Sequence, residues 1–154
     1  MMSLPLSKKR APRTVLDVNV WISALIWGGK PAEVLIAAEN HNITIFLSEE
    51  IVQELSRVLA FPKLRKIYVA EGMRQEDLVE EVLRISRFVR GTKQVRVVWE
   101  HPADDKFIEC AIAADADYLI SGNKHLLKIA SYKKTQILSV NEFLQILKGK
   151  ASKK

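Results

Sequence analysis

Cysteine is all but missing from this sequence. Cys110 stands alone among 154 residues, so no intrachain disulfide can form and a reducing cytoplasm is the natural home. Long apolar runs are missing too: the hydrophobic stretches are short and interrupted, far from the roughly 20 residues of a membrane span, and no membrane partner is expected. Met1 to Pro12 contain no apolar segment of the kind a secretory signal carries. Repeats and low-complexity linkers are absent, which argues against a string of modules. What is there, 48% hydrophobic and 27% charged residues, suffices for one proper core and is normal for a single domain of this length.

Acidic residues are absent from residues 1–12 and 148–154, and this skews the charge. The net charge of +6 invites a nucleic-acid reading. Seven of the 24 basic residues (Lys8, Lys9, Arg10, Lys148, Lys150, Lys153, Lys154) lie in those ends, leaving 17 against 18 acidic ones in a body of net −1. Basic ends attract phosphate, and they serve equally as solvated, solubilising ends. Global charge therefore decides little.

Short apolar runs alternate with helical patterns, the signature of βαβ units around a parallel sheet. Strands are expected at residues 13–18, 43–47, 94–98, 118–121 and 136–138. Helices are expected from Val20, then at 31–40, 49–60 with Ser48 as cap, 63–69, 75–90, 104–114, 123–131 and 141–147, with Pro62 stopping the third of them. The expected fold is one doubly wound α/β domain over residues 13–147, with a mostly parallel sheet of about five strands and basic tails at 1–12 and 148–154.

Ligands bind beyond the carboxyl ends of the strands in open parallel sheets. The polar residues at those ends are Asp17 and Asn19, then Asp104 and Asp105, then Ser121 and Asn123. Each has a plain alternative as a helix cap. Asp17 is the least plain, because it follows Val15-Leu16 with no intervening turn, at the lip of the sheet. Glu54 flanks the apolar stripe of Ile51, Val52, Leu55, Val58 and Leu59 and is the acid of its helix best placed to reach over the sheet, or else a boundary glutamate. Convergence of Asp17, Glu54 and Asp105 would cost several kcal/mol unless a cation neutralises them or protons are taken up. Hard oxygen donors with no paired His or Cys favour Mg²⁺ or Mn²⁺ over zinc. Such a centre suits phosphoryl chemistry.

These residues resemble the PIN-domain family of metal-dependent nucleases across nearly the whole body. Val15-Leu-Asp-Val-Asn-Val20 is similar to its opening strand, Ser48-x-x-Ile-Val-x-Glu54-Leu55 to its second acid, and Asp104-Asp105-x-Phe-Ile-Glu-Cys-Ala111 to its third. Ala116-Asp-Tyr-Leu-Ile-Ser-Gly-Asn-Lys-His-Leu-Leu127 is similar to its fourth block. The resemblance is greatest to the prokaryotic subgroup described as toxins of toxin–antitoxin pairs. It implies a Rossmann-like three-layer fold and an endoribonuclease using Mg²⁺ or Mn²⁺, often a homodimer and often held by an antitoxin protein. Asp17, Glu54 and Asp105 would be catalytic and, with Asn123, would hold the metal; Asn19, Asp104 and Ser121 would orient them. One departure stands out: the family usually carries Asp where this chain has Asn123, which offers a carbonyl oxygen but no charge. That departure supports a rival reading, a degenerate domain that holds RNA or a protein partner without cutting. A second rival, a phosphotransferase of the haloacid-dehalogenase type, requires an acid where this chain has Asn19.

Lys63, Arg65, Lys66, Arg84, Arg87 and Lys124 are candidate contacts to an RNA backbone, or else a solvated surface. His125 beside Lys124 reads as a phosphate contact, an acid or a solvated side chain, and His41 and His101 as loop residues. Trp21, Trp27 and Trp99 either stack bases or fill a core or dimer seam. Cys110 fits its helix's apolar pattern as inert core.

Overall fold

The computed structural model describes residues 10–152. Lys8, Lys9, Lys153 and Lys154 of the expected tails lie outside the described residues. In chain order the elements are strand β1 (Arg13–Leu16), helix α1 (Val18–Ile22) running into a π-helical turn (Ser23–Trp27), α2 (Gly29–Glu39), β2 (Thr44–Leu47), α3 (Glu49–Leu59), α4 (Pro62–Ala70), α5 (Gln75–Ile85), and β3 (Arg87–Phe88). A 3₁₀ turn (Pro102–Asp104) then leads into α6 (Asp105–Ala114), followed by β4 (Tyr118–Ile120), α7 (Lys124–Leu127), β5 (Ser131–Tyr132), β6 (Thr135–Leu138) and α8 (Val140–Ser152). The last helix thus continues past Leu147, where the sequence placed the start of a tail.

The six strands form one sheet in the order β3-β2-β1-β4-β6-β5, parallel throughout except for the β5–β6 hairpin. The doubly wound α/β architecture expected from the sequence is therefore present. β1 lies at the centre because Val15, Leu16 and their register partners Phe46, Leu119 and Ile120 are all buried, as befits a strand covered on both faces. From β1 the chain winds to β2 on one side and later to β4 on the other. The crevice between the ends of β1 and β4 is thus the point where the strand order reverses, the natural ligand site of such sheets.

The principal departures from expectation have identifiable causes. Residues 94–98 are not a strand: the N–H of Val95 donates to Glu109 at 3.1 Å, and those of Val97 and Val98 donate to Asp105 at 3.0 and 2.8 Å. These donors are satisfied by side chains of α6, leaving no ladder to form. The sheet edge beside β2 is taken instead by β3, cut from what reads in sequence as the end of a long helix. The short α7 also ends early, because Ala130 adopts a left-handed backbone (φ 68°) and the chain turns into the β5–β6 hairpin. α3 ends at Leu59, ahead of Pro62 as expected, and Pro62 itself opens α4, one residue before the expected start, where its missing N–H costs nothing.

Cys110 is fully buried, and burial pushes its thiol up to about 12, so it is inert core as expected. Among the described residues no single helix is long and apolar enough to cross a membrane.

Candidate active site

Asp17 follows the last residue of β1 in extended conformation (φ −75°, ψ 168°) and caps α1, its Oδ1 accepting from Val20 N–H at 2.9 Å. Its own N–H still belongs to the sheet edge, donating to Ile120 O at 3.1 Å. This double membership holds the carboxylate at the crevice, 3% exposed. Ser121, the first residue beyond β4 and fully buried, donates its hydroxyl to Asp17 Oδ2. Burial pushes the Asp17 carboxyl above its ordinary range, against the pull of these hydrogen bonds, and the nearby charge of Asp104 adds to the rise.

Asp104 ends the 3₁₀ turn and is 5% exposed. It stands at the N-cap position of α6, yet its side chain makes no capping bond. Its Oδ2 accepts instead from Asn123 Nδ2 at 2.9 Å and lies 3.1 Å from His101 Nδ1. Asn123 ties the two acids together. Its N–H donates to Ser121 Oγ at 2.9 Å, its amide donates to Asp104, and its Oδ1 caps α7 by accepting from His125 N–H at 2.8 Å. The carbonyl oxygen expected to face a metal is therefore engaged in the cap. The donating side of the amide faces the carboxylate, which explains how a neutral residue is accommodated here: a third anion would repel Asp104, whereas the amide bonds to it.

The expected convergence of Asp17, Glu54 and Asp105 is not formed, and among the described residues no three of His, Cys, Asp and Glu gather into a ready-made cation cage. Asp105 is buried but turned away, its Oδ1 taken by the N–H groups of Val97 and Val98 and its Oδ2 3.7 Å from Arg96. Glu54, on the edge of α3's apolar stripe as expected, is neutralised by Lys106, which also donates to Ala103 O beside Asp104 at 2.7 Å. Asn19 is exposed and makes no bond to Asp17. It lines a cleft of about 330 Å³ with Val20, Lys30, Pro31, Ser121, Ser139 and Asn141.

The basic candidates scatter. Lys124 is exposed beside Asn123, on the rim of the site. Lys63, Arg65 and Lys66 line a separate cleft on α4 with Pro62 and Val69. Arg84 is committed to Glu39 and Glu81, and Arg87 lies in β3 rather than on a shared helical face with it. The residues missed in sequence are His101 and Lys106. The three-residue spacing of His101 and Asp104 across a Pro-initiated turn was a usable signal, and so was a lysine directly after two adjacent acids.

The donor set is two buried carboxylates, Asp17 and Asp104, in electrostatic contact and held by hydroxyl, amide and backbone donors. All the donor atoms offered by the acids are hard oxygens. That chemistry fits Mg²⁺ or Mn²⁺, which are commonly held by one or two carboxylates plus waters and substrate phosphate rather than by a closed protein cage.

The sequence model described as PIN domain matches residues 13–125 of the chain. No curated protein matches it.

Proposed function

Since the chain belongs to the PIN-domain family, a nuclease-type fold, we propose that it is an endoribonuclease dependent on Mg²⁺ or Mn²⁺, centred on Asp17 and Asp104. The observation that carries this reading is the pair of buried acids at the sheet's switch point, joined through Ser121 and Asn123. Burying carboxylates without a cation is unfavourable: burial itself raises the Asp17 carboxyl, and Asp104 adds a smaller push. In this proposal Asp17 and Asp104 hold the ion. When bound, such an ion supplies charge for the phosphate oxygens and a more acidic water. Ser121 and Val20 N–H fix the Asp17 carboxylate, while Asn123 and His101 fix that of Asp104, so neither acid needs to reorganise when substrate arrives. Lys30, Asn19, Ser139 and Asn141 offer polar contacts to an RNA strand in the cleft beside the acids. Glu54 enters only by leaving Lys106, and Asp105 serves to hold the 94–98 segment.

The test is cleavage of single-stranded RNA with and without chelator. Cleavage is expected with Mg²⁺ or Mn²⁺ and should stop on chelation; full activity in chelator, or restoration by Zn²⁺ alone, would overturn the assignment. The pairing of Glu54 with Lys106 and the neutral Asn123 favour a second reading, a domain that binds RNA or a protein without cutting. Saturable metal-independent RNA binding with no cleavage would select it. A toxin held by an antitoxin, and a homodimer in the cytoplasm, extend the lead proposal on family grounds. A neighbouring gene for a small DNA-binding protein would support that extension.

A further inference from the structure

Trp99 presents 73% of its surface to solvent, more than any other large hydrophobic side chain among the described residues. Tryptophan joins a large apolar face to a polar N–H, a combination enriched at interfaces. The turn that carries it is not loose. On one side Val97 and Val98 are anchored by Asp105, and on the other His101 N–H donates to Val98 O at 3.0 Å. Val98, directly before the tryptophan, is buried. The indole is therefore displayed from a fixed scaffold.

Its surroundings carry two cations, Arg96 and Lys128, and one carboxylate, Glu100, which pairs with Lys128 at 3.1 Å and lies 3.5 Å from His125. The guanidinium of Arg96 lies 5.8 Å from the indole centroid. A cleft of about 310 Å³ runs beside the ring, lined by Val97, Glu100, His125, Lys128 and Ile129. The imidazole of His125 stacks on that of His101 at 5.5 Å with an interplanar angle of 2°, and His101 lies against Asp104. The cleft is thus continuous with the acid centre through one pair of stacked rings. The cleft containing Ser121, which holds Asp17, flanks the centre through different residues.

We infer that the Trp99–His125 cleft is a nucleobase site, in which an unpaired base of the RNA stacks on the Trp99 indole beside the acid centre of Asp17 and Asp104. The inference rests on the ribonuclease reading for its substrate class. An apolar-walled slot with a planar ring suits a base's face, and Arg96 suits a phosphate beside it, whereas Lys128 is held by Glu100. A base inside a duplex has no free face, so the site selects single-stranded RNA. The indole reads no hydrogen-bonding edge, so stacking there tolerates any base.

The test is a binding cycle in chelator, where no cutting occurs, using fluorescently labelled eight-nucleotide RNAs, intact or with bases removed one at a time. Stacking on an aromatic ring corresponds to a change in Kd of about 5- to 150-fold. Trp99→Ala should weaken binding of intact RNA by a factor in this range, and Trp99→Phe should retain most of the affinity. Removing one particular base should weaken binding to the natural protein by a similar factor and add little further loss in Trp99→Ala. Equal Kd for Trp99→Ala and parent, or equal losses on base removal in both, overturns the site. A changed sedimentation coefficient for Trp99→Ala with unchanged RNA affinity overturns it in favour of a protein contact. Cleavage with Mg²⁺ or Mn²⁺ is scored separately: a parent that cuts RNA while Trp99→Ala binds normally sinks the base site and leaves the nuclease standing. A parent that binds RNA through Trp99 but never cuts does the reverse, and one that binds no RNA overturns both.

Discussion

Asp104 and Asp105 are neighbours in sequence with opposite assignments, and exchanging one oxygen for an amide at each separates them. Asp105→Asn keeps an acceptor for the N–H groups of Val97 and Val98, now at 3.0 and 2.8 Å, but removes the charge that strengthens both bonds. Hydrogen bonds to a charged group contribute about 1.5–3 kcal/mol and neutral ones about 0.5–1.5, so the loss is about 1 kcal/mol per bond and about 2 kcal/mol in all. Arg96 adds little, since its side chain is 61% exposed and 3.7 Å away. In a chain of this size a loss of that order lowers Tm by about 4–8 °C. Asp104→Asn acts in the other direction. Its amide oxygen can still accept from Asn123, and removing the charge relieves the repulsion felt by Asp17. The metal-free Tm should therefore stay level or rise, while Mn²⁺ affinity and RNA cleavage fall together. Thermal denaturation in chelator, calorimetric titration of Mn²⁺ and a cleavage assay below both melting temperatures form one experiment. If Asp105→Asn abolishes cleavage with an unchanged Tm, and Asp104→Asn cuts normally, the third acid is Asp105 and the hydrogen-bond reasoning fails.

Asp17→Asn preserves the acceptor for Val20 N–H and is expected to lose most cleavage. Because burial raises the carboxyl above its ordinary 3.8, the folded state holds a proton that the unfolded chain releases. Metal-free stability of the parent should therefore fall as pH rises from about that value through the raised one, and this slope should flatten in the variant, whose neutral-pH Tm stays level or rises; a variant melting far lower would make Asp17 a structural cap. Asn123→Asp replaces the amide that donates to Asp104 at 2.9 Å with a repelling carboxylate. Metal-free stability should drop by about 1–3 kcal/mol, while Mg²⁺ or Mn²⁺ should bind about 5- to 150-fold more tightly if the new charge contributes comparably. Identical titrations for parent and variant would show that position 123 does not sense the ion.

The alternation of strands and helices, the Ser48 cap, here on Ile51 N–H, and the position of Asp17 at the lip of the sheet were readable in sequence. Each depends on a local period, a cap or an uninterrupted apolar run, and such features act over a few residues. The edge position of Glu54 followed in the same way from the 3.6-residue repeat of α3. The tertiary structure alone decided which acids meet. Asp105 is drawn away by backbone donors of Val97 and Val98, and Glu54 is neutralised by Lys106, 52 residues further on. Residues 94–98 read as a strand because their apolar content is strand-like, but their donors are satisfied by α6, and β3 takes the edge. In each case the outcome turned on which buried polar group satisfies which other one. That pairing depends on how distant segments pack, and neither partner's local sequence encodes it.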